Sequence, residues 1–227
     1  MRRALLNGLL ALLAFTAIGA ARADYIDWAS GLGPLGVRRG DPTIGNFPGF
    51  YGGDYPGLYP VELTPAQAAA AVLGAPDGRF LSLPGNEAAD PTPSGTGFKW
   101  AFVDVVFGGG GFDASSDLYI RELGDDSASV YLFIWFASGG NVQRLVTRGA
   151  SDTIIVDLDP YAALAAEYGG FTHVTLGGWD LRGASAGFDL DAVGVSRRVP
   201  EPGTLALLAA AVIGAGALRG RQSRLRA

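Results

Sequence analysis

Three carboxylates have the most suggestive spacing for chemistry in this 227-residue chain. Asp189 and Asp191 lie two apart in Gly187-Phe-Asp-Leu-Asp-Ala-Val-Gly194. On a β-strand both point to one face, and Phe188, Leu190 and Ala192 point to the core. Asp77 precedes Gly78, a pair that makes a tight turn and aims a carboxylate and carbonyls at one point. If the first and last strands are neighbours, three hard oxygen ligands meet, the donor type Ca²⁺ collects in sets of about six to eight. The competing reading has Asp77 capping its turn and the other two solvated or paired with Arg79 or Arg182. A second acidic group, Asp113, Asp117, Asp125 and Asp126, has the residue type to bind cations and reads first as polar loop.

Aromatic residues make a second candidate. Residues 41–60 hold five of them among Gly and Pro, and no regular element is predicted there. Phe50, Tyr51, Tyr55 and Tyr59 can stack on the apolar C–H faces of sugar rings. The same residues also suit a loop that caps one end of a sandwich.

Catalytic groups are sparse. His173 is the single histidine and there is no cysteine, so thiol chemistry, disulfides and His-rich metal sites are excluded. His173 alternates with Thr172 and Val174, which suits an ordinary polar position on a strand. Gly108–Gly111 is followed by no Lys-Ser/Thr, so it is a turn and not a phosphate loop. A glycosidase needs two carboxylates across a cleft, and nothing in the spacing selects a pair. Residues 24–198 carry 21 of the 22 acids and ten of the 17 basic residues, a balance of −11. Nucleic acid is a poor partner for such a surface.

The elements that must position these residues read as β. Lys99–Phe107, Asp117–Leu123, Val130–Phe136, Val142–Thr147, Thr153–Leu158, Phe171–Leu176 and Phe188–Val195 are rich in aromatic and β-branched residues, with Gly, Asp and Ser clusters between them. Val130–Phe136 is apolar throughout, as in a strand covered on both faces. Two short helices are predicted. One has Thr64 as N-cap, Pro65 at N1, Gln67 at N3 and Gly74 as its end. The other runs from Asp159-Pro160 to Tyr168 and stops at Gly169. The predicted fold class is all-β, an antiparallel, jelly-roll-like sandwich with two short helices. The exported domain is 24–198, with 24–63 as an irregular lead-in.

Both ends of the chain are targeting devices. Arg2 and Arg3 precede the apolar stretch Leu5–Ile18, and Ala21-Arg-Ala23 is an A-x-A cleavage site. Residues 1–23 thus form a signal peptide with its signal helix. At the other end, Val199-Pro200-Glu201-Pro202-Gly203-Thr204 leads into 14 uncharged residues, Leu205–Leu218, and then Arg219, Arg221, Arg224 and Arg226. The two prolines delay helix entry, and Thr204 can cap the helix that follows. A helix of that length covers about 21 Å of a core of about 30 Å, so spanning as a transmembrane helix requires snorkelling arginines or a thin bilayer. The arginines hold their end in the cytoplasm.

The tail 199–227 resembles the PEP-CTERM sorting tail of Gram-negative bacterial surface proteins, which a membrane-embedded exosortase recognises and processes. Within the domain, Leu73-Gly-Ala-Pro-Asp-Gly78 with Ser82-Leu83, and Gly187–Val193, are similar to two segments of proteins bearing this tail. There the segments bracket a sandwich resembling the galactose-binding or discoidin jelly roll, and the likeness covers residues 68–195. Gly85–Thr96 departs from it, being Asp/Pro/Glu-rich where a glycine-rich hairpin is expected. The resemblance implies Sec export, transient anchoring in the inner membrane, sorting by an exosortase, and a final place on the cell surface or in the extracellular matrix. It implies exopolysaccharide or another surface glycan as partner and a non-enzymatic role in biofilm. A calcium-dependent carbohydrate-binding module is the alternative reading, and a secreted hydrolase is the third.

Overall fold

The structure, a computed structural model, describes residues 24–38, 50–54, 61–85, 101–124, 128–180 and 187–198. Two compact units are defined, and Ile26–Arg197 is the one that holds the sites treated below. Of the other, only residues 24, 25 and 198 are described. The signal segment with Ala21 and Ala23, most of Gly85–Thr96, and the tail with its motif, apolar run and arginines lie outside the described residues. So do Tyr55, Tyr59, Asp125, Asp126 and Arg182.

Eleven strands are described: β1 (Asp24–Arg38), β2 (Phe50–Asp54), β3 (Val61–Leu63), β4 (Arg79–Leu83), β5 (Phe102–Phe107), β6 (Asp117–Glu122), β7 (Ser129–Phe136), β8 (Asn141–Thr147), β9 (Thr153–Asp157), β10 (Phe171–Gly178) and β11 (Phe188–Arg198). Their hydrogen-bonded order is β3-β2-β4-β11-β1-β5-β10-β7-β8, with β6 on β11 and β9 on β6. The ladders whose register is described are antiparallel.

A single core joins the two halves of this order. Val103 and Val105 of β5, Leu132 and Ile134 of β7, and Val174 and Leu176 of β10 pack in one cluster with Leu81 of β4, Leu118 and Ile120 of β6, and Leu190 of β11. Each strand contributes alternate residues, which is the pattern of two sheet faces enclosing apolar side chains. The architecture is thus a mostly antiparallel β-fold with two short helices, consistent with a β-sandwich.

The helices form where their sequence signals lie. In α1 (Pro65–Ala70), Thr64 accepts the Gln67 N–H and the Gln67 side chain accepts the Thr64 N–H, a complete capping box. The helix ends at Ala70 rather than Gly74, and its chain continues as turn. Asp159–Tyr161 is a 3₁₀ turn that leads into α2 (Ala162–Tyr168), which stops at Gly169 with φ 80°.

The lead-in differs from the sequence reading. Residues 24–63 were expected to be irregular, yet they contain β1, β2 and β3, and β2 lies inside the stretch 41–60 where no element was expected. Ladder pairing overrides the local Gly/Pro content. β2 is hydrogen-bonded to β3 on one side and β4 on the other. β1 keeps a ladder with β5 by breaking it twice, and Pro34 falls inside the second break, between Leu32 and Val37, where its missing N–H costs no ladder bond.

Candidate functional site

The strands carrying the two acidic segments are neighbours. β4 pairs with β11 through Leu81↔Leu190, Ser82↔Asp189 and Leu83↔Phe188. This brings Asp77 to Asp191, whose Oδ1 accepts the Asp77 N–H at 3.2 Å. Asp191 is buried, and burial pushes its carboxyl above the ordinary value of 3.8. The Asp77 charge acts in the same direction, against the Asp77 and Gly78 N–H groups and the Arg121 charge.

The third acid does not join them. Between Leu190 and Ala192 the ladder with β6 slips by one residue. The core side chains of β11 are accordingly Phe188 and Leu190, then Val193 and Val195. Ala192, expected in that set, is buried but lies outside the cluster. A bulge breaks the period of two on which a shared face for Asp189 and Asp191 depended. Asp189 accepts the Ser82 hydroxyl at 2.7 Å, and Asp77 accepts the Arg79 N–H at 3.0 Å, closing its own turn. Arg79 Nε stands 3.8 Å from Asp77 and 3.5 Å from Asp54. Among the described residues no three His, Asp or Glu side chains form a group able to hold a metal ion. Of the three acids expected to share a cation, Asp77 thus caps its own turn, and Asp189 and Asp191 are buried and hydrogen-bonded.

The aromatic lead-in is divided. Phe50 packs against the main core from β2, and Tyr51 is half-buried in the same strand. Beside them a cleft of about 570 Å³ opens between β2–β4 and α1, lined by Val61, Leu63, Ala70 and Phe80, with the exposed Asp54–Arg79 pair alongside. In the second acidic group, Asp113 accepts the Ser115 N–H ahead of β6, and the N–H of Asp117, the first residue of β6, donates to Ser196.

Sequence reasoning missed a polar cluster on the opposite side of β5. Asp104 is fully buried within the apolar run Phe102–Phe107. The arch Gly33-Pro-Leu-Gly36 in the second break of β1 covers it. The Leu35 N–H donates to Asp104 Oδ2 at 2.9 Å, and a Cβ on Gly33 would lie 2.3 Å from that oxygen. Glycine at 33 is what permits this approach. Trp135 Nε1 donates to Thr175 Oγ1 at 2.8 Å, and Thr175 donates to Asp104 Oδ1 at 2.9 Å. His173 Nε2 is 3.9 Å from the same oxygen, and its Nδ1 shares a 2.8 Å hydrogen bond with Thr172.

Burial raises the Asp104 carboxyl above its ordinary value, against the Leu35 N–H, His173 and Thr175. Burial likewise lowers His173, against the pull of Asp104. Around this cluster lies a stripe of rings. Trp135 stacks on His173 with centroids 5.5 Å apart and planes 7° apart. Tyr131 meets Phe133 at 5.4 Å and Trp179 at 5.5 Å. The signal available in the sequence was the period of two: Tyr131, Phe133 and Trp135 alternate with the core residues of β7.

A third arrangement orders the glycine turn. Arg197 donates to the carbonyls of Gly110 and Gly111 and to Asp27, and the Gly109 N–H donates to the same Asp27 oxygen. Gly108–Gly111 is thus a clamped turn between β5 and β6.

Comparison with known proteins adds one assignment. The family model for the PEP-CTERM protein-sorting motif matches residues 198–222, beginning at the last residue of β11. The motif indicates an exosortase-sorted surface protein, exported and anchored through its C-terminal signal. No curated protein and no solved structure matches the chain.

Proposed function

We propose that the chain is an exported, non-enzymatic protein of the cell surface or extracellular matrix that works within the exopolysaccharide layer. Export runs through the Sec pathway, with cleavage of the signal peptide after Ala23. An exosortase sorts and processes the tail at Val199–Thr204 after transient residence in the inner membrane. The ectodomain is a jelly roll of the galactose-binding or discoidin kind, and it acts by binding and not by turnover.

The matched motif at 198–222 carries this reading. Its support is positional, because the match begins where β11, the last strand among the described residues, ends. The test is to replace Pro200, Glu201 and Pro202 by alanine in the full chain and to follow its mass and location by cell fractionation. The expected outcome is an unprocessed form held in the inner membrane. Unchanged mass and surface delivery would overturn the sorting reading.

A carbohydrate-binding module is the second reading. The ring stripe of β7 favours it, and its calcium-dependent form has no three-acid group among the described residues to rest on.

A further inference from the structure

One surface has its polarity arranged for a ligand that is neither charged nor wholly apolar. On β7, Val130, Leu132, Ile134 and Phe136 face the main core, so Tyr131, Phe133 and Trp135 face away from it. Register places Gly177, Thr175 and His173 of β10 beside these three on one side. On the other side it places Leu145, Gln143 and Asn141 of β8. Phe133 and Phe102 are fully buried beneath Leu35, Tyr131 and Trp135, so the ring surface open to a ligand is that of the partly exposed Tyr131 and Trp135.

The indole N–H of Trp135 is already bonded to Thr175, so what this residue offers outward is ring surface and not a donor. Tyr131 and Trp135, four residues apart on one strand, stand about 13 Å from each other. Between and beside them Gln143 and Asn141 supply planar amides, each able to donate and accept. The acid within this face, Asp104, has no exposure, and burial favours the neutral form of His173. These rows therefore present rings and amides with no exposed formal charge, on a chain whose net charge is −5.

We propose that the outer face of β10-β7-β8 is a binding surface for a neutral polysaccharide. Tyr131 and Trp135 stack on the C–H faces of sugar rings, and Asn141 and Gln143 hydrogen-bond their hydroxyls. Rings alone would suit an apolar peptide, but the amides on the adjoining strand are the element that matches a ligand with a hydroxyl on nearly every carbon. A polyanionic glycan is a poorer match, because these rows hold no exposed cation, the exposed Arg38 at their border, opposite Phe102, donates to the Leu35 carbonyl, and the chain is acidic. The inference rests on the reading of a protein at work in the polysaccharide layer. It moves the sugar contact from the lead-in aromatics to the sheet face.

The test is affinity electrophoresis of the full chain in detergent, with exopolysaccharide extracted from the producing cells as the probe. Parent, Trp135→Ala, the double variant Asn141→Ala/Gln143→Ala and the control Ile155→Ala are compared, with folding followed by circular dichroism. Trp135→Ala is expected to weaken retardation about tenfold and the amide double variant about threefold to tenfold. Ile155→Ala, on β9 and away from this face, should match the parent. Should Trp135→Ala fail to fold, the amide variant decides, because its side chains lie on an edge strand.

Equal retardation of parent and both variants would overturn the proposal, as would an absence of retardation in the parent. A parent that sediments as an oligomer, dispersed by Trp135→Ala without any glycan effect, would overturn it in favour of contact between copies of the chain. None of these outcomes alters tail processing, so fractionation judges the sorting reading separately.

Discussion

Among the described residues two carboxylates, Glu122 and Asp104, have no exposure, and the fold accommodates them by opposite means. Glu122, at the end of β6, is opposed by Arg148, whose Nε comes within 2.9 Å of its Oε2. The approach is close but not aligned for a hydrogen bond. Arg148 also donates to the Gly124 carbonyl and to Asp152, and Asp152 meets Arg121 at 3.1 Å, so four charges alternate in sign. Asp104 has no arginine beside it among the described residues. Its direct donors are the Leu35 amide and the Thr175 hydroxyl, with His173 nearby.

The difference has a consequence for charge. A cation beside a buried acid offsets part of its desolvation by Coulomb attraction, whereas neutral donors leave protonation as the cheaper state when pH allows. The Glu122 network braces the connection from β8 to β9. The Asp104 cluster sits under a ring-bearing face that is partly open to solvent.

The largest effect expected from breaking this comparison is at Arg148. Arg148→Met should leave Glu122 buried without its cation and lower stability by about 3–5 kcal/mol, measured by urea unfolding of the full chain in detergent. A loss below about 1 kcal/mol would mean that water reaches Glu122, and the contrast with Asp104 would collapse.

Next in size is the pH dependence. His173 is lowered in the fold, so the unfolded chain binds its proton more readily. Stability should therefore rise as pH climbs towards 6.5 and be lost below it. Asp104 is raised, so the folded chain keeps a proton that the unfolded one has released above 3.8. Stability from this group should fall as pH climbs from 3.8 through the raised folded value. His173→Gln should remove the first slope. Asp104→Asn should reduce the second, with a remainder from Asp191, which is raised in the same direction. Unfolding midpoints across pH 3.5 to 7.5, chosen to bracket those ordinary values, test both. A His173→Gln profile parallel to the parent would show that the histidine is open to water.

The smallest effect is expected at the exposed pair Arg79 and Asp54, whose side chains are 61% and 79% accessible. Arg79→Ala should change stability by about 0.2–1 kcal/mol and lose even that in high salt. A larger, salt-resistant loss would place a buried role at this end of the cleft as well.

Much of the fold was legible beforehand because it depends on short-range signals. The unbroken apolar run Val130–Phe136 marked a strand covered on both faces, and Thr64 with Gln67 marked a helix start. Asp159-Pro160 and Gly169 bounded the second helix. The lead-in was not legible, because Gly and Pro disfavour strands locally and β1 and β2 form through partners distant in sequence. The acidic site was half legible. Neighbouring strands did bring Asp77 to Asp191, but the bulge after Leu190 arises from pairing with β6, and no period in the sequence records it.

By itself the sequence determined the sorting signal, which is read as a linear string of prolines, apolar residues and arginines. It also determined the β class, through periodicities that act over a few residues. The tertiary structure decided which acids meet, which are buried and which rings share a face. Those outcomes depend on strand register and on burial, and both are set by contacts between residues as far apart as Leu35 and Asp104, or Asp27 and Arg197.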